Sequence, residues 1–150
     1  MSLYDDTPAV AMQVSRDVVV ASIQIELNEE VLARFREDLL NRVHDSGSRG
    51  VILDVSGLET LDSDEFAALR KIITMCTIMG TESILVGLQP GVVSSLIEAG
   101  AEVDGVRAAV NLDAAFNILN PPELAEEVDD EADREDEETQ ESEPEPGEQT

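Results

Sequence analysis

Val51-Ile52-Leu53-Asp54-Val55-Ser56-Gly57-Leu58-Glu59-Thr60-Leu61-Asp62-Ser63-Asp64-Glu65 is the stretch on which the reading of this chain turns. A strand-length apolar run leads through a short loop into an acidic group around one serine. Beyond it Phe66, Leu69, Ile72, Ile73, Cys76 and Met79 recur at helical spacing as inward residues, and Gly80 suits the position just past the helix end. A strand, a turn and a helix in that order place the Ser63 hydroxyl at a helix N-terminus, where solvent can reach it and a phosphate can be held.

The turn itself can be read in two ways. Asp62 and Glu65 fit a capping box, which sets Ser63 at the first helical position with its hydroxyl free. Alternatively Ser63 is the N-cap, a role serine fills in many proteins whatever they do. The pattern leaves both open.

Outward from this stretch, Val19, Ala21, Ile23, Ile25 and Leu27 alternate with Val20, Ser22, Gln24 and Glu26, the period-two signature of a strand with one drier face. Met12 to Val14 form a shorter partner strand before it, turned by Ser15-Arg16-Asp17. Asn28 is an N-cap for a helix whose apolar positions are Val31, Leu32, Phe35, Leu39 and Val43, ending at Gly47. After the second helix, Ser83 to Leu88 read as a strand. Pro90 opens a third helix through Val93, Leu96 and Ile97 to Gly100. A weak strand from Val106 to Ala109 and a helix from Leu112 to Leu119 complete the sequence of elements. The fold class is α/β: helical crossovers force mostly parallel pairing, the opening strand pair can be antiparallel, and the result is a mixed, mostly parallel β-sheet flanked by helices.

Of the 150 residues, we assign 1–8 to a flexible N-terminus, 9–120 to a single domain and 121–150 to a disordered acidic tail. From Glu123 to Thr150 fifteen acidic residues stand against Arg134 alone, a net of −14, which leaves −11 of the chain's −25 on the rest. So polar a segment cannot bury enough surface to offset its ordering entropy. It either solvates the protein or acts as an electrostatic gate at a partner. With no Trp and one Tyr, the domain core must come from aliphatic side chains.

A chain this acidic, with no basic patch, is not expected to bind nucleic acid or an anionic membrane. It has neither a span-length apolar run nor a signal-like N-terminus, so a cytoplasmic location is expected. Cys76 has no second cysteine to pair with and reads as a buried thiol; His44 is the only histidine, which leaves no zinc set. Asp54, Glu59 and Asp62 can be arranged as a magnesium site for phosphoryl transfer, but no phosphate-binding lysine motif or G-x-G-x-x-G loop accompanies them. No catalytic residues, cofactor or metal are expected. Ser94 and Ser95 lie in the first turns of the third helix, as plain surface or a second modification point.

The element order, together with Ile23-Gln24-Ile25-Glu26-Leu27, Val51 to Val55, Leu61-Asp62-Ser63, Ile73-Thr74-Met75 and Gly87-Leu88-Gln89-Pro90, resembles the STAS domain family over about Ala9 to Leu119. Within it the chain is most similar to the RsbS-type scaffolds of the bacterial stressosome. The resemblance implies a non-enzymatic protein that assembles with RsbR-type STAS sensor paralogs as a homodimer and a large hetero-oligomer. It implies sequestration of an RsbT-type serine kinase, released when Ser63 is phosphorylated, and resetting by a PP2C-type phosphatase similar to RsbX. Asp62, Ser63 and Asp64 then form the partner-binding surface, and Ser95 falls near a second acceptor of the sensor paralogs. Asp64 and Glu65 depart from the apolar residues of RsbS-type proteins at those positions. The Asp-Ser pair alone also suits an anti-sigma factor antagonist regulated by the same serine.

Overall fold

A computed structural model describes residues 6–121. The elements are β1 (Ala11–Ser15), β2 (Val18–Ser22), α1 (Glu29–Ser46), β3 (Gly50–Asp54), α2 (Ser63–Ile78), β4 (Glu82–Val86), α3 (Pro90–Glu98), β5 (Ala108–Ala109) and α4 (Leu112–Leu119). One sheet of five strands runs in chain order, with β1 antiparallel to β2 and the remaining pairs parallel. Because each parallel strand lies beside the previous one in a single direction, crossovers of one hand put α1, α2 and α3 on the same face. Their buried side chains, among them Phe35, Leu39, Leu69 and Leu96, share one core with Val19, Ala21, Val51, Leu53 and Leu85. The opposite face is covered by α4, whose Ala115 and Leu119 pack on Val18, Val20, Ile52, Ile84 and Val86. Each fully buried Leu or Ile contributes about 1.5–3 kcal/mol by leaving water.

That second core corrects the reading of β2. Val20 is as buried as Val19, so the strand has two dry faces rather than one. The alternation in sequence was produced by Ser22, Gln24 and Glu26, most of which lie beyond the strand. β2 stops at Ser22, although the Ile23 amide still donates to Asp54 O at 2.9 Å and Leu27 is buried in the following loop.

The helix caps follow the sequence closely. Asn28 Oδ1 accepts from the Val31 amide, and Gly47 closes α1 in the left-handed region, donating to Val43 O. Other expectations shift. Met79 is the C-cap of α2 and 41% exposed instead of inward. In α3 the inward residues are Val92 and Leu96, while Val93 and Ile97 are 43% and 58% exposed: of two apolar pairs at helical spacing, packing buries the first and leaves the second outward. β4 ends at Val86 because Gly87 turns the chain at φ 84°, and β5 shortens to two residues. The acidic tail lies outside the described residues.

Candidate functional site

The loop joining β3 to α2 is pinned where it leaves the sheet. The Asp54 carboxylate accepts from the Ser56 amide at 3.0 Å, the Val55 amide donates to Val86 O at 2.9 Å, and the Leu58 amide donates to Val55 O at 3.0 Å. Leu58 and Leu61 are buried and hold the middle of the loop down. The next loop along the sheet edge presses against it: Gln89 Nε2 donates to Ser56 O at 3.0 Å, and Gly87 approaches Ser56 closely enough that a Cβ there would lie 2.7 Å from Ser56 Cβ. Two residues of the Gly87-Leu88-Gln89-Pro90 segment thus buttress the loop that delivers Ser63.

The ambiguity at the helix start is resolved in favour of Asp62. Asp62 Oδ1 accepts from the Glu65 amide at 2.7 Å and Glu65 Oε1 accepts from the Asp62 amide at 2.8 Å, a complete capping box. Ser63 is therefore the first residue of α2, half-buried, with no protein hydrogen bond to its hydroxyl among the described residues. The amides of Ser63 and Asp64 are first-turn donors without an intrahelical acceptor, and they lie at the positive end of the helix dipole. Asp62 and Asp64 flank the serine, both exposed. The arrangement presents a free alcohol among anionic neighbours, with the helix secured independently of it.

Two features around this point were not singled out in the sequence. Glu26, Glu59, Asp62 and Glu65, with Gln24 and Thr60, line an acidic groove of about 560 Å³. On the other side, Phe66, Leu88, Val93, Ile97, Val103 and Val106 border an apolar depression of about 270 Å³. Phe66 lies one turn after Ser63 on α2. Reading Val93 and Ile97 as core hid this patch, because Val92-Val93 and Leu96-Ile97 offer two apolar pairs at the same spacing and the sequence does not say which is buried. Ser95 is exposed on α3. Asp54 does not join Glu59 and Asp62: it lines a separate depression with Ser56, Gly87 and Asp113, and among the described residues no group of three His, Cys, Asp or Glu is placed to hold a metal. No helix among those residues is long and apolar enough to cross a membrane.

The sequence profile described as "STAS domain" matches residues 9–115. The chain belongs to the STAS domain family. No curated protein sequence matches it. Among solved structures, a serine-to-glutamate variant of RsbS from Moorella thermoacetica is similar at 27% identity and a TM-score of 0.63, over 73% of this chain and 93% of that one. A chain from a structure titled as the molecular architecture of the stressosome, a signal integration and transduction hub, is 28% identical with a TM-score of 0.64, over 73% and 95%. The unphosphorylated anti-sigma factor antagonist SpoIIAA, at 17% identity and a TM-score of 0.58 over 75% and 99%, shares the fold. The STAS assignment accords with the mixed sheet and helical layers described above.

Proposed function

We propose that this STAS protein is a stressosome scaffold that co-assembles with RsbR-type STAS sensors, retains an RsbT-type serine kinase, and releases it when Ser63 is phosphorylated. A PP2C-type phosphatase similar to RsbX returns the serine to its free state. The observation that carries this reading is the unengaged Ser63 hydroxyl on a helix whose cap is supplied by Asp62. Support comes also from the likeness to RsbS and to a stressosome chain at 27% and 28% identity.

The physics of the switch is electrostatic. A phosphate adds about −1.5 to −2 charges at neutral pH. The free first-turn amides favour it, and Asp62, Asp64 and Glu65 oppose it. A kinase surface complementary to the neutral serine then meets a strongly anionic helix end and loses its fit. Asp62 and Asp64 belong to the contact surface in this scheme, and exposed Ser95 is a second acceptor.

The test is incubation of the full chain with an RsbT-type kinase and ATP, followed by site-resolved mass spectrometry. Phosphate at Ser63, its loss in Ser63→Ala, and tighter kinase retention by that variant are the expected results. Phosphate found only elsewhere, or kinase binding indifferent to Ser63, refutes the proposal. Mixing with sensor paralogs separates scaffold from anti-sigma factor antagonist: a megadalton particle supports the first, and small complexes alone support the second.

A further inference from the structure

We infer that the groove between α1 and α2 is a docking site for an acidic amphipathic helix of a partner protein. The inference stands apart from the phosphorylation proposed for Ser63 and does not use it.

The groove has a volume of about 480 Å³. Leu32, Ala68, Ile72 and Met75 belong to its apolar lining, and Arg36 and Lys71 border it, one from each helix. Glu29, at the start of α1, is the acidic residue on its border.

The two cations are unusual for this chain. It carries 34 acidic residues against nine basic ones, so a cation left without an acid needs a reason. Arg34 is held by Asp38, Arg70 by Glu102 and Arg107 by Glu82, while Arg16 lies over the Phe116 ring. Arg42 has Asp38 and Asp45 within one turn of α1. By contrast, Arg36 and Lys71 are exposed, and neither has an ion-pair partner among the described residues. Their own helices offer none. The positions three and four residues away are Leu32, Ala33, Leu39 and Leu40 for Arg36, and Ala67, Ala68, Thr74 and Met75 for Lys71.

An apolar floor flanked by unpaired positive charge selects its occupant. Two neighbouring helices leave a channel into which the side-chain ridge of a third can fit. The apolar stripe of that helix meets Leu32, Ile72 and Met75, whose thioether adapts to the shape it is given. Acidic residues flanking the stripe reach Arg36 on one side and Lys71 on the other, at the rim, where these long side chains keep their charged ends in water. A fatty acid would need a deeper enclosure to cover its chain, and a second copy would bring a surface mostly of its own sign. The chain's −25 repels an acidic partner at a distance, but screening over about 8 Å at physiological salt lets the two nearby cations dominate at contact. Lys71 lies two turns beyond Ser63, about 12 Å along α2, so docking here persists whatever the state of the serine.

The experiment uses the full chain, labelled with nitrogen-15, and a synthetic helical peptide of about five turns with a leucine stripe between two rows of glutamate. At physiological salt the peptide should shift the amide signals of Arg36, Lys71 and Met75, in wild type and in Ser63→Glu alike. Arg36→Glu combined with Lys71→Glu, at two exposed positions, should leave circular dichroism unchanged and weaken binding about tenfold or more. Arg42→Glu combined with Arg49→Glu makes the same change in net charge at residues that do not line the groove, and should weaken binding less than about twofold. Equal losses in the two double variants would reduce the effect to net charge and overturn the inference. Shifts confined to other surfaces, or no binding at millimolar peptide, would overturn it as well. Oleate that binds where the peptide does not, or self-association of the chain abolished by the Arg36 and Lys71 reversal, would give the groove to a lipid or to a second copy and overturn it too.

Discussion

Gly87→Ala should be among the most damaging single-methyl changes available to this protein, and the structure says by how much. At φ 84° an L side chain costs about 1–2 kcal/mol in backbone strain. Unlike most glycines of that kind, this one also lacks room: the new Cβ would stand 2.7 Å from Ser56 Cβ, 2.9 Å from its amide nitrogen and 3.0 Å from its Cα. Those are largely backbone atoms of a loop fixed by the Asp54 carboxylate and the Gln89 amide, so the clash cannot be relieved by a rotamer change. Overpacking of this sort adds about 1–3 kcal/mol. Gly80→Ala is the internal control, because its φ of 95° carries the same conformational penalty with no atom within 4 Å. Urea and thermal unfolding followed by far-UV circular dichroism should place Gly80→Ala about 1–2 kcal/mol below wild type. Gly87→Ala should lie at least about 1 kcal/mol lower still, which is several degrees in midpoint for a domain of this size. Equal losses in the two variants would show that the Gly87–Ser56 approach is not close, and the account of how the Ser63 loop is buttressed would fall.

Asp62→Ala should cost about 1 kcal/mol by breaking the capping box, while Asp62→Asn should cost only a few tenths, because the acceptor for the Glu65 amide survives; chemical denaturation distinguishes them. Ser63→Ala should leave stability within about 0.5 kcal/mol of wild type, since the hydroxyl has no protein partner; a larger loss by the same assay would mean it holds the helix after all. Burial pushes the Cys76 thiol up from 9.0 to about 11, against a smaller opposing hydrogen bond from Thr81. The native thiol should therefore resist alkylation near pH 8.5 until urea exposes it. Linkage adds a sign: the unfolded thiol ionises from about pH 9 and the folded one does not, so stability should fall between pH 9 and about 11. A Cys76→Ser variant should lack that component of the fall.

Much of this was legible because it is local. Asn28, Gly47, Asp62 with Glu65, and Gly80 are caps whose geometry is set by a few neighbouring residues, and each appears where its chemistry predicts. The crossover pattern also fixed the mostly parallel sheet. What the sequence concealed depends on distant partners. Val20 looked solvent-facing because nothing nearby announces that α4, some ninety residues later, returns to cover it. Val93 and Ile97 looked like core because their spacing is helical, yet Val92 and Leu96 share that spacing, and packing against the rest of the fold decides which pair is buried. At the site, the serine at the helix start was readable but not whether it or Asp62 is the cap, and the acidic groove joins Glu26 to Glu59 across two loops that only folding brings together.

Because Asp62 rather than Ser63 closes the first turn of α2, the end of the helix is insured by one residue while its neighbour is left at liberty. On the proposed reading, a phosphate at position 63 would be added and removed without taking away the bond that caps the helix.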